Sequence, residues 1–350
     1  MIFPFSYYLL TAPYTLAWLC ITGFHKKKQV VFYCAGYLDY VIFENIREYL
    51  PNIKIVAKNR KVKAELKQYG IKSVLWPVFP DVVIMARHAF HKFPSNKIIK
   101  IGLRHGAYHF KQFIRAEKYN AFDLFLFTSE HELKEAEEFG ITCGQSGGFP
   151  KLDSFWLEGV EEKLENLKKR LNFDTKKPNI LFSATWENSG LSAIDKWFDK
   201  LNDLTDEFNV MVTIHPFCSD TYAEKIKNTP GVHFIEDAKN YLYLKLADLM
   251  VGDTSSIIAE FCTLDKPIIT FEVKGVKRLT PEIITLIKEV SYPINDFTEL
   301  KSTIKYALAN PYEKSFQRQK YNKIMFEDLN VKHGKIAADK INTVLERVIN

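Results

Sequence analysis

Short apolar runs alternate with amphipathic, helix-like segments along most of this 350-residue chain. Segments with helical spacing, such as 41–50 and 61–69, separate several of the runs. A first series of apolar runs lies at 29–34, 53–58, 71–76, 81–86, 98–103 and 123–127, and a second at 179–183, 209–214, 232–236, 248–251 and 267–271. Alternation of this kind is typical of parallel sheets covered by helices on both faces. The pattern therefore predicts an α/β protein with two such sheets.

A charged amphipathic stretch and a loop separate the two series, and the chain ends in a helical pattern. Two Rossmann-like domains that face a cleft are the expected architecture, with ligands at the carboxyl ends of the strands. The predicted boundaries are 1–28 for an N-terminal segment, 29–157 for the first Rossmann-like domain, 158–178 for a linker, 179–311 for the second Rossmann-like domain and 312–350 for a helical tail.

The first 24 residues contain no charged side chain, and the basic stretch HKKK (25–28) follows them. A secretory signal would place its positive charges before the apolar part, which is not the case here. A spanning helix fits the length, but Pro4 and Pro13 interrupt it, and tyrosines and a tryptophan prefer the headgroup layer. A buried core segment is the alternative. We predict membrane association, with the lysines against anionic lipid.

Composition excludes wholesale disorder, because 47% of the residues are hydrophobic and 26% are charged. The net charge of +6 is a mild excess. It suits an anionic small substrate or an acidic membrane surface better than duplex DNA, so no nucleic-acid partner is expected. The five cysteines show no CxxC pair and no metal-ligand spacing, which predicts a reducing compartment, no disulfide framework and no metal site.

An acid and three hydroxyls, DTSS (253–256), stand between a strand-like run and a helix-like run. Free backbone N–H groups and the helix dipole favour an anion at such a junction, and the hydroxyls add donors. An ordinary N-cap is the alternative, since Asp, Ser and Thr are preferred there. Four such residues in a row, with Glu260 one turn on, favour a phosphate or diphosphate cradle.

Two histidines follow strand-like runs, one in each half. His105, with Gly106 behind it, follows the run 98–103, and His215-Pro216 follows 209–214. Both imidazoles are expected at carboxyl ends of strands, facing the same cleft. His105 could take a proton from an alcohol, and His215 could donate to a phosphoryl oxygen or a leaving group. A structural role for either histidine is the alternative.

Two further stretches lie where strands are predicted to end. GGFPKLDSF (147–155) is either hinge punctuation or the source of a phosphate-binding Lys151, and SATWEN (183–188) places Thr185 at a strand end. Neither GxGxxG nor GxxxxGK[ST] occurs, so the usual dinucleotide and P-loop sites are not expected, and no cofactor is predicted. The residues alone indicate a two-domain enzyme that binds a nucleotide diphosphate.

The order and spacing of these motifs resemble the CDP-glycerol glycerophosphotransferases of wall teichoic acid synthesis, over about residues 100 to 340. The matching residues are His105-Gly106, Gly148-Phe149-Pro150-Lys151-Leu152-Asp153, Thr185-Trp186, His215-Pro216, Ala247-Asp248, Asp253-Thr254-Ser255-Ser256, Asp265-Lys266-Pro267 and the tail Lys332-His333-Gly334-Lys335.

This resemblance implies a GT-B fold and an enzyme on the cytoplasmic face of the membrane. The enzyme would transfer glycerol phosphate from CDP-glycerol, or a related CDP-polyol, to a polyprenyl-diphosphate-linked saccharide and release CMP. His105 would be the general base, and His215 would stabilise the transferring phosphoryl group. The donor diphosphate would be bound by Asp253, Thr254, Ser255 and Ser256, and the nucleotide or substrate by Lys151, Thr185, Asp237, Tyr241 and Glu260.

The chain departs from the family pattern in the motif that follows the first strand of the second half. Glu187 stands where the family commonly has an arginine after Thr-Trp. A CDP-ribitol donor, or a nucleotide-sugar glycosyltransferase or UDP-sugar epimerase on the same fold, therefore stays open. A binding protein with a degenerate cleft is the third alternative, in which substitution of His105 and His215 would leave the cellular role intact.

Overall fold

The computed structural model describes residues 5–24, 27–107, 115–236, 239–275 and 279–349. Contacts within the chain define two compact units. The first comprises 1–105, 114–153 and 326–350, and the second comprises 106–113 and 154–325.

The first unit contains a seven-stranded, all-parallel sheet in the order β3-β2-β1-β4-β5-β6-β7. Its strands are β1 (Val30–Cys34), β2 (Lys54–Ala57), β3 (Val74–Leu75), β4 (Val82–Met85), β5 (Ile99–Leu103), β6 (Leu124–Phe127) and β7 (Gly144–Ser146). The predicted parallel sheet is confirmed, and each of its six predicted runs contains a strand. The sequence pattern missed β7, because Gly-Gln-Ser is short and polar.

The helices of this unit are α1 (Phe5–Thr22), α2 (Tyr37–Arg47), α3 (Arg60–Gln68), α4 (Ala116–Tyr119) and α5 (Glu130–Glu138), of which α2, α3 and α5 pack against strands of the sheet. Side chains fix two of the helix starts, since Asn59 accepts from the Val62 N–H at 3.0 Å and Ser129 from the Glu132 N–H at 3.2 Å. The central strands are buried on both faces, and the ring of Phe32 in β1 stacks on Phe43 of α2 at 4.1 Å.

Helix α1 contains the apolar stretch that the sequence assigned to a membrane-associating segment. Tyr14 and Trp18 donate hydrogen bonds to the carbonyls of Val78 and Pro80, at 2.5 and 2.6 Å. Its leucines, by contrast, are largely exposed; they include Leu9, Leu10, Leu16 and Leu19. None of the helices in the described ranges combines the length and the apolar character needed to cross a bilayer.

The second unit contains a six-stranded parallel sheet in the order β10-β9-β8-β11-β12-β13. Its strands are β8 (Asn179–Ala184), β9 (Asn209–Ile214), β10 (Val232–Phe234), β11 (Leu249–Gly252), β12 (Ile268–Phe271) and β13 (Tyr292–Ile294). Its helices are α6 (Val160–Leu171), α7 (Asp220–Lys227), α8 (Tyr241–Leu246), α9 (Ile257–Cys262), α10 (Pro281–Val290), α11 (Leu300–Ala309) and α12 (Ser315–Phe326). The second predicted sheet is thereby confirmed.

The predicted linker 158–178 contains α6, which belongs to the second unit. Lys245 of α8 donates to Glu161 at 2.8 Å and to the Phe155 carbonyl at 3.0 Å, which holds α6 beside α8. The structure therefore makes this stretch an integral part of the second unit.

The last helix, α13 (His333–Ile349), returns to the first unit and packs against α2. Asp153 caps it, accepting the N–H groups of His333 and Gly334 at 2.9 and 2.8 Å. A β-carbon on Gly334 would come within 2.4 Å of the Asn45 carbonyl oxygen, so glycine is needed for this close approach. Two of the sequence motifs, GFPKLD and KHGK, thus contact each other where Asp153 caps α13.

Candidate functional site

Three loops of the second unit leave adjacent parallel strands at the same edge of the sheet. Strands β9, β8 and β11 are neighbours, and their carboxyl ends are followed by 215–219, 185–189 and 253–256. These loops carry His215, Thr185 and the DTSS stretch. The structure therefore brings together three of the sequence-predicted site segments, at the edge where open α/β sheets bind ligands.

Asp253 is the most deeply buried member of this group, with 1% of its surface exposed. Its Oδ1 accepts from Thr185 Oγ1 at 2.9 Å and from the N–H groups of Thr254 and Ser255 at 2.6 and 3.1 Å. Its Oδ2 accepts from the N–H groups of Thr185 and Ala193 at 2.9 and 3.2 Å. Burial raises the pKa of Asp253, while the donors from Thr185, Thr254 and Ala193 act in the opposite direction.

The four residues of the DTSS stretch divide into two pairs. Thr254 is 6% exposed and donates its hydroxyl to the Leu191 carbonyl at 2.8 Å, so it holds the loop after β8 as Asp253 does. Ser255 and Ser256 are only partly buried. Helix α9 has only six residues, and the N–H groups of Thr254 and Ser255 in the turn before it donate to Asp253. The serine hydroxyls are therefore the groups best placed to bind an anion.

His215 lies directly after β9, and its N–H continues the ladder by donating to the Ala184 carbonyl at 3.0 Å. Its Nδ1 accepts the Phe217 N–H at 3.1 Å. A neutral imidazole whose Nδ1 is an acceptor carries its proton on Nε2. His215 therefore presents an N–H donor, which is the form that can stabilise a phosphoryl oxygen.

Glu187 connects the loop after β8 to the loop after β9. Its Oε1 accepts the Ser219 N–H at 3.0 Å, immediately before α7 begins. Glu187 thus adds a second carboxylate, besides the buried Asp253, to a region of hydroxyl and imidazole donors. The sequence identified Glu187 only as a departure from the family, and its link to Ser219 could not be predicted.

In the first unit, His105 lies two residues beyond β5 and reaches solvent. The protein packed around its ring, and then the charges of Arg87 and Arg104, lower the pKa of His105 to about 4, while a hydrogen bond to the Ala86 carbonyl acts in the opposite direction. The imidazole is therefore neutral at pH 7. With its N–H directed at the Ala86 carbonyl, the other ring nitrogen is free of a proton, as a general base requires.

Arg104, the residue before His105, forms a buried ion pair that the sequence analysis missed. Its Nη2 lies 2.8 Å from Glu132 Oε1, with both side chains under 10% exposed, and its guanidinium lies over the Phe127 ring at 4.9 Å. Glu132 Oε2 accepts both the N–H and the hydroxyl of Thr128, at 2.8 and 3.0 Å. No local pattern relates positions 104 and 132, so only the fold shows that they are paired.

Gly106, the residue after His105, belongs to the second unit. A β-carbon on Gly106 would come within 2.9 Å of Ser256 Oγ. Glycine at position 106 therefore permits this close approach of the backbone to Ser256.

The remaining predicted site residues lie in varied surroundings. Lys151 is partly buried in a 3₁₀ turn (Pro150–Trp156), Tyr241 begins α8, and Glu260 is 3% exposed within α9. Asp237 lies outside the described residues. Within those residues, no group of three or more His, Cys, Asp and Glu side chains could hold a metal ion.

Two units with parallel sheets, and candidate ligand-binding loops at a carboxyl edge, place this chain among the GT-B-like α/β proteins. The model of one family, the CDP-glycerol:poly(glycerophosphate) glycerophosphotransferases, matches residues 98–276, and the chain belongs to that family. The resemblance seen in the motifs is thereby confirmed, and the family acts in teichoic acid synthesis.

Similar proteins include the teichoic acid glycerol-phosphate primase of Bacillus spizizenii (strain ATCC 23059 / NRRL B-14472 / W23), 27% identical over 168 residues. That match covers 46% of this chain and 43% of the primase. The teichoic acid poly(glycerol phosphate) polymerase of Bacillus subtilis (strain 168) is 28% identical over 149 residues, or 39% of this chain and 19% of the polymerase. The chain thus spans less than half the length of these relatives.

Among solved structures, the wall teichoic acid polymerase TagF in a CDPG soak aligns with a TM-score of 0.70 and 13% identity, covering 92% of this chain and 90% of that one. UDP-GlcNAc 2-epimerase from Neisseria meningitidis, bound to UDP-GlcNAc, aligns with a TM-score of 0.61 and 13% identity, covering 91% and 100%. At these identities the likeness concerns the fold alone.

Proposed function

We propose that this protein transfers glycerol phosphate, or a related polyol phosphate, from a CDP-linked donor to a hydroxyl of a polyprenyl-diphosphate-linked saccharide, with release of CMP. The observation that carries the proposal is the carboxyl edge of the second sheet, which carries both the Nε2–H of His215 and the partly exposed hydroxyls of Ser255 and Ser256. The family match supports the donor class, since its description names CDP-glycerol.

In the proposed reaction, neutral His105 accepts the proton of the acceptor hydroxyl. The acceptor oxygen bonds to the phosphorus that carries glycerol, the bond from that phosphorus to the bridging oxygen breaks, and the electron pair leaves with CMP. His215 donates a hydrogen bond from Nε2 to the phosphoryl oxygens as their charge redistributes. Phosphoryl transfer of this kind depends on positioning and charge stabilisation more than on covalent chemistry by the protein.

The donor diphosphate is assigned to the serines of the second unit, and the nucleotide to the region of Tyr241 and Asp237. Thr185, Lys151 and Glu260 stay as proposed nucleotide- or substrate-binding residues. In this assignment the second unit binds the donor, and the first unit, which carries His105, binds the acceptor.

A UDP-sugar enzyme is the second candidate. Glu187 favours it, because a carboxylate accepts hydrogen bonds from sugar hydroxyls and repels phosphate, and the likeness to a UDP-GlcNAc epimerase is compatible with it. CDP-ribitol is the closest variant of the first candidate, since it offers more hydroxyls than glycerol to the same carboxylate.

The decisive experiment incubates the purified full chain with a polyprenyl-linked disaccharide and, separately, with CDP-glycerol, CDP-ribitol and UDP-sugars, and follows products by mass. The first candidate predicts CMP and an acceptor heavier by one polyol phosphate. His105→Ala and His215→Ala should each lose activity by about 10²–10⁴-fold, as expected for loss of an acid–base group. The matched control is His131→Ala, an exposed histidine of α5 that should retain activity. Turnover of UDP-sugars alone would select the second candidate.

We further propose that the protein works at the cytoplasmic face of the cell membrane, attached peripherally through α1. The exposed leucines of α1 are followed in the sequence by Lys27 and Lys28, a combination of apolar and basic groups that suits an anionic bilayer surface. A lipid-linked acceptor would be reached from that position.

A further inference from the structure

Asp253 has two properties that set it apart from the serines next to it. It is almost fully buried, and its two carboxylate oxygens together accept five hydrogen bonds. Four of the five donors are backbone N–H groups, whose positions are set by the chain. A carboxylate is an acceptor with no proton to offer, so this set of donors matches its ionised form.

These hydrogen bonds join two loops that are far apart in sequence. Thr185 and Ala193 belong to the segment that follows β8, while Thr254 and Ser255 belong to the turn after β11. A further bond, from the Thr254 hydroxyl to the Leu191 carbonyl at 2.8 Å, ties the same two segments. Backbone N–H groups of both segments thus converge on the carboxylate of Asp253.

Direct binding of a diphosphate by Asp253 conflicts with this geometry. Its oxygens already accept protein donors, it lies beneath the surface, and its negative charge would repel a phosphate. The groups it orients are suited to that role, because Ser255 and Ser256 belong to the same turn and retain partial exposure.

We propose that Asp253 is a positioning residue, which fixes the loop after β8 and the Ser255–Ser256 turn in one arrangement so that both present donors to the donor diphosphate. This inference rests on the proposed function for the identity of the ligand. The tying of the two loops does not depend on it.

The test substitution is Asp253→Asn, which keeps the shape of the side chain. Whichever oxygen becomes an NH2 group, at least two protein donors then face a donor. Asp248→Asn is the matched control, because Asp248 stands at the opposite end of the same strand β11. Asp248 is exposed, and its Oδ2 accepts one N–H, from Asn179 at 2.7 Å, which the amide oxygen of asparagine can still accept.

We expect Asp253→Asn to raise the KM for CDP-glycerol by about tenfold to about a hundredfold, the range for lost hydrogen bonds to a charged group. The KM for the acceptor and the midpoints of the pH–rate profile should stay unchanged, because Asp253 exchanges no proton in the reaction. Thr185→Val, which removes the hydroxyl that donates to Asp253, should also raise the KM for CDP-glycerol, with no additional rise when it is combined with Asp253→Asn. An unchanged donor KM, or a shifted pH midpoint, would overturn the proposal.

Hydrogen exchange gives a readout that needs no substrate. Asp253→Asn should speed exchange in peptides covering 185–193 and 253–256, whereas Asp248→Asn should not. Unchanged exchange at those segments would refute the positioning role whatever the donor is. If Asp253→Asn speeds exchange but the wild-type protein does not react with CDP-glycerol, Asp253 still joins the two loops and the proposed function is wrong.

Discussion

Gly106 lies against Ser256, so that a β-carbon at position 106 would be 2.9 Å from Ser256 Oγ and 3.7 Å from Ser256 Cβ. The backbone of Gly106 is outside the left-handed region, so alanine would fit its conformation. Within the described ranges, only the hydroxyl of Ser256 would be closer than an ordinary contact to that carbon. Glycine at this position therefore keeps a serine hydroxyl of the proposed diphosphate site in place.

Gly106→Ala is expected to displace the Ser256 hydroxyl and to raise the KM for the CDP-linked donor by about tenfold, the effect of one lost hydrogen bond to a charged group. Thermal unfolding should change little, because the residue that must move is a short side chain. Steady-state kinetics with varied donor would measure the effect.

The control for this prediction is the Ser256→Ala background, in which the clashing oxygen is absent. Gly106→Ala should add no further loss there, since the two substitutions remove the same contact. Equal losses from Gly106→Ala in both backgrounds would show that alanine acts elsewhere.

The pH dependence of transfer should reflect the lowered pKa of His105. The proposed reaction needs the neutral form of His105, and the pKa of this imidazole is lowered to about 4 from its ordinary value of 6.5. Activity should therefore persist as the pH falls below 6.5 and be lost only as the pH approaches 4. The pH profile of kcat/KM would measure this, and NMR titration of the labelled imidazole would assign it.

The charges of two arginines contribute to the lowered pKa of His105. Arg87 is the more accessible of the two, with 39% of its side chain exposed. Its partner Asp39 accepts from Arg87 Nε at 2.6 Å. The double substitution Arg87→Gln with Asp39→Asn removes both charges and should move the His105 titration upward. A titration that stays in place would show that Arg87 has no influence on His105.

Features that follow from periodic patterns along the chain were predicted from the sequence. Features that depend on contacts between residues distant in the sequence were missed. Apolar runs revealed both sheets, and strand ends indicated Thr185, His215 and the DTSS stretch as candidate site residues. Burial then distinguished Asp253 and Thr254 from the two serines, which no local pattern separates. Asp153 of the GFPKLD motif caps α13, which begins within the KHGK motif. The resemblance of these motifs to the family did not reveal this structural role.

Removal of one partner of the buried pair of Arg104 and Glu132 should strongly destabilise the first unit. Glu132→Gln leaves the Arg104 charge buried without a counter-charge, and loss of one partner of such a pair costs about 3–5 kcal/mol. Arg104→Met combined with Glu132→Leu should be less destabilising than Glu132→Gln, because no charge then stays buried. Denaturant unfolding of the variants would compare their free energies. A double variant less stable than Glu132→Gln would contradict this account.

Membrane attachment should depend on the exposed apolar face of α1. Leu9, Leu16 and Leu19 are each at least half exposed, whereas Tyr14 and Trp18 hold the helix to the first unit. Replacing the three leucines with glutamine should abolish flotation with vesicles that contain anionic lipid, as deletion of residues 1–24 should, because the apolar area available to the bilayer is lost. Tyr14→Phe, which removes only the bond to Val78, is the matched control and should still float. Vesicle binding that survives the three leucine substitutions and the deletion would place the attachment elsewhere in the chain.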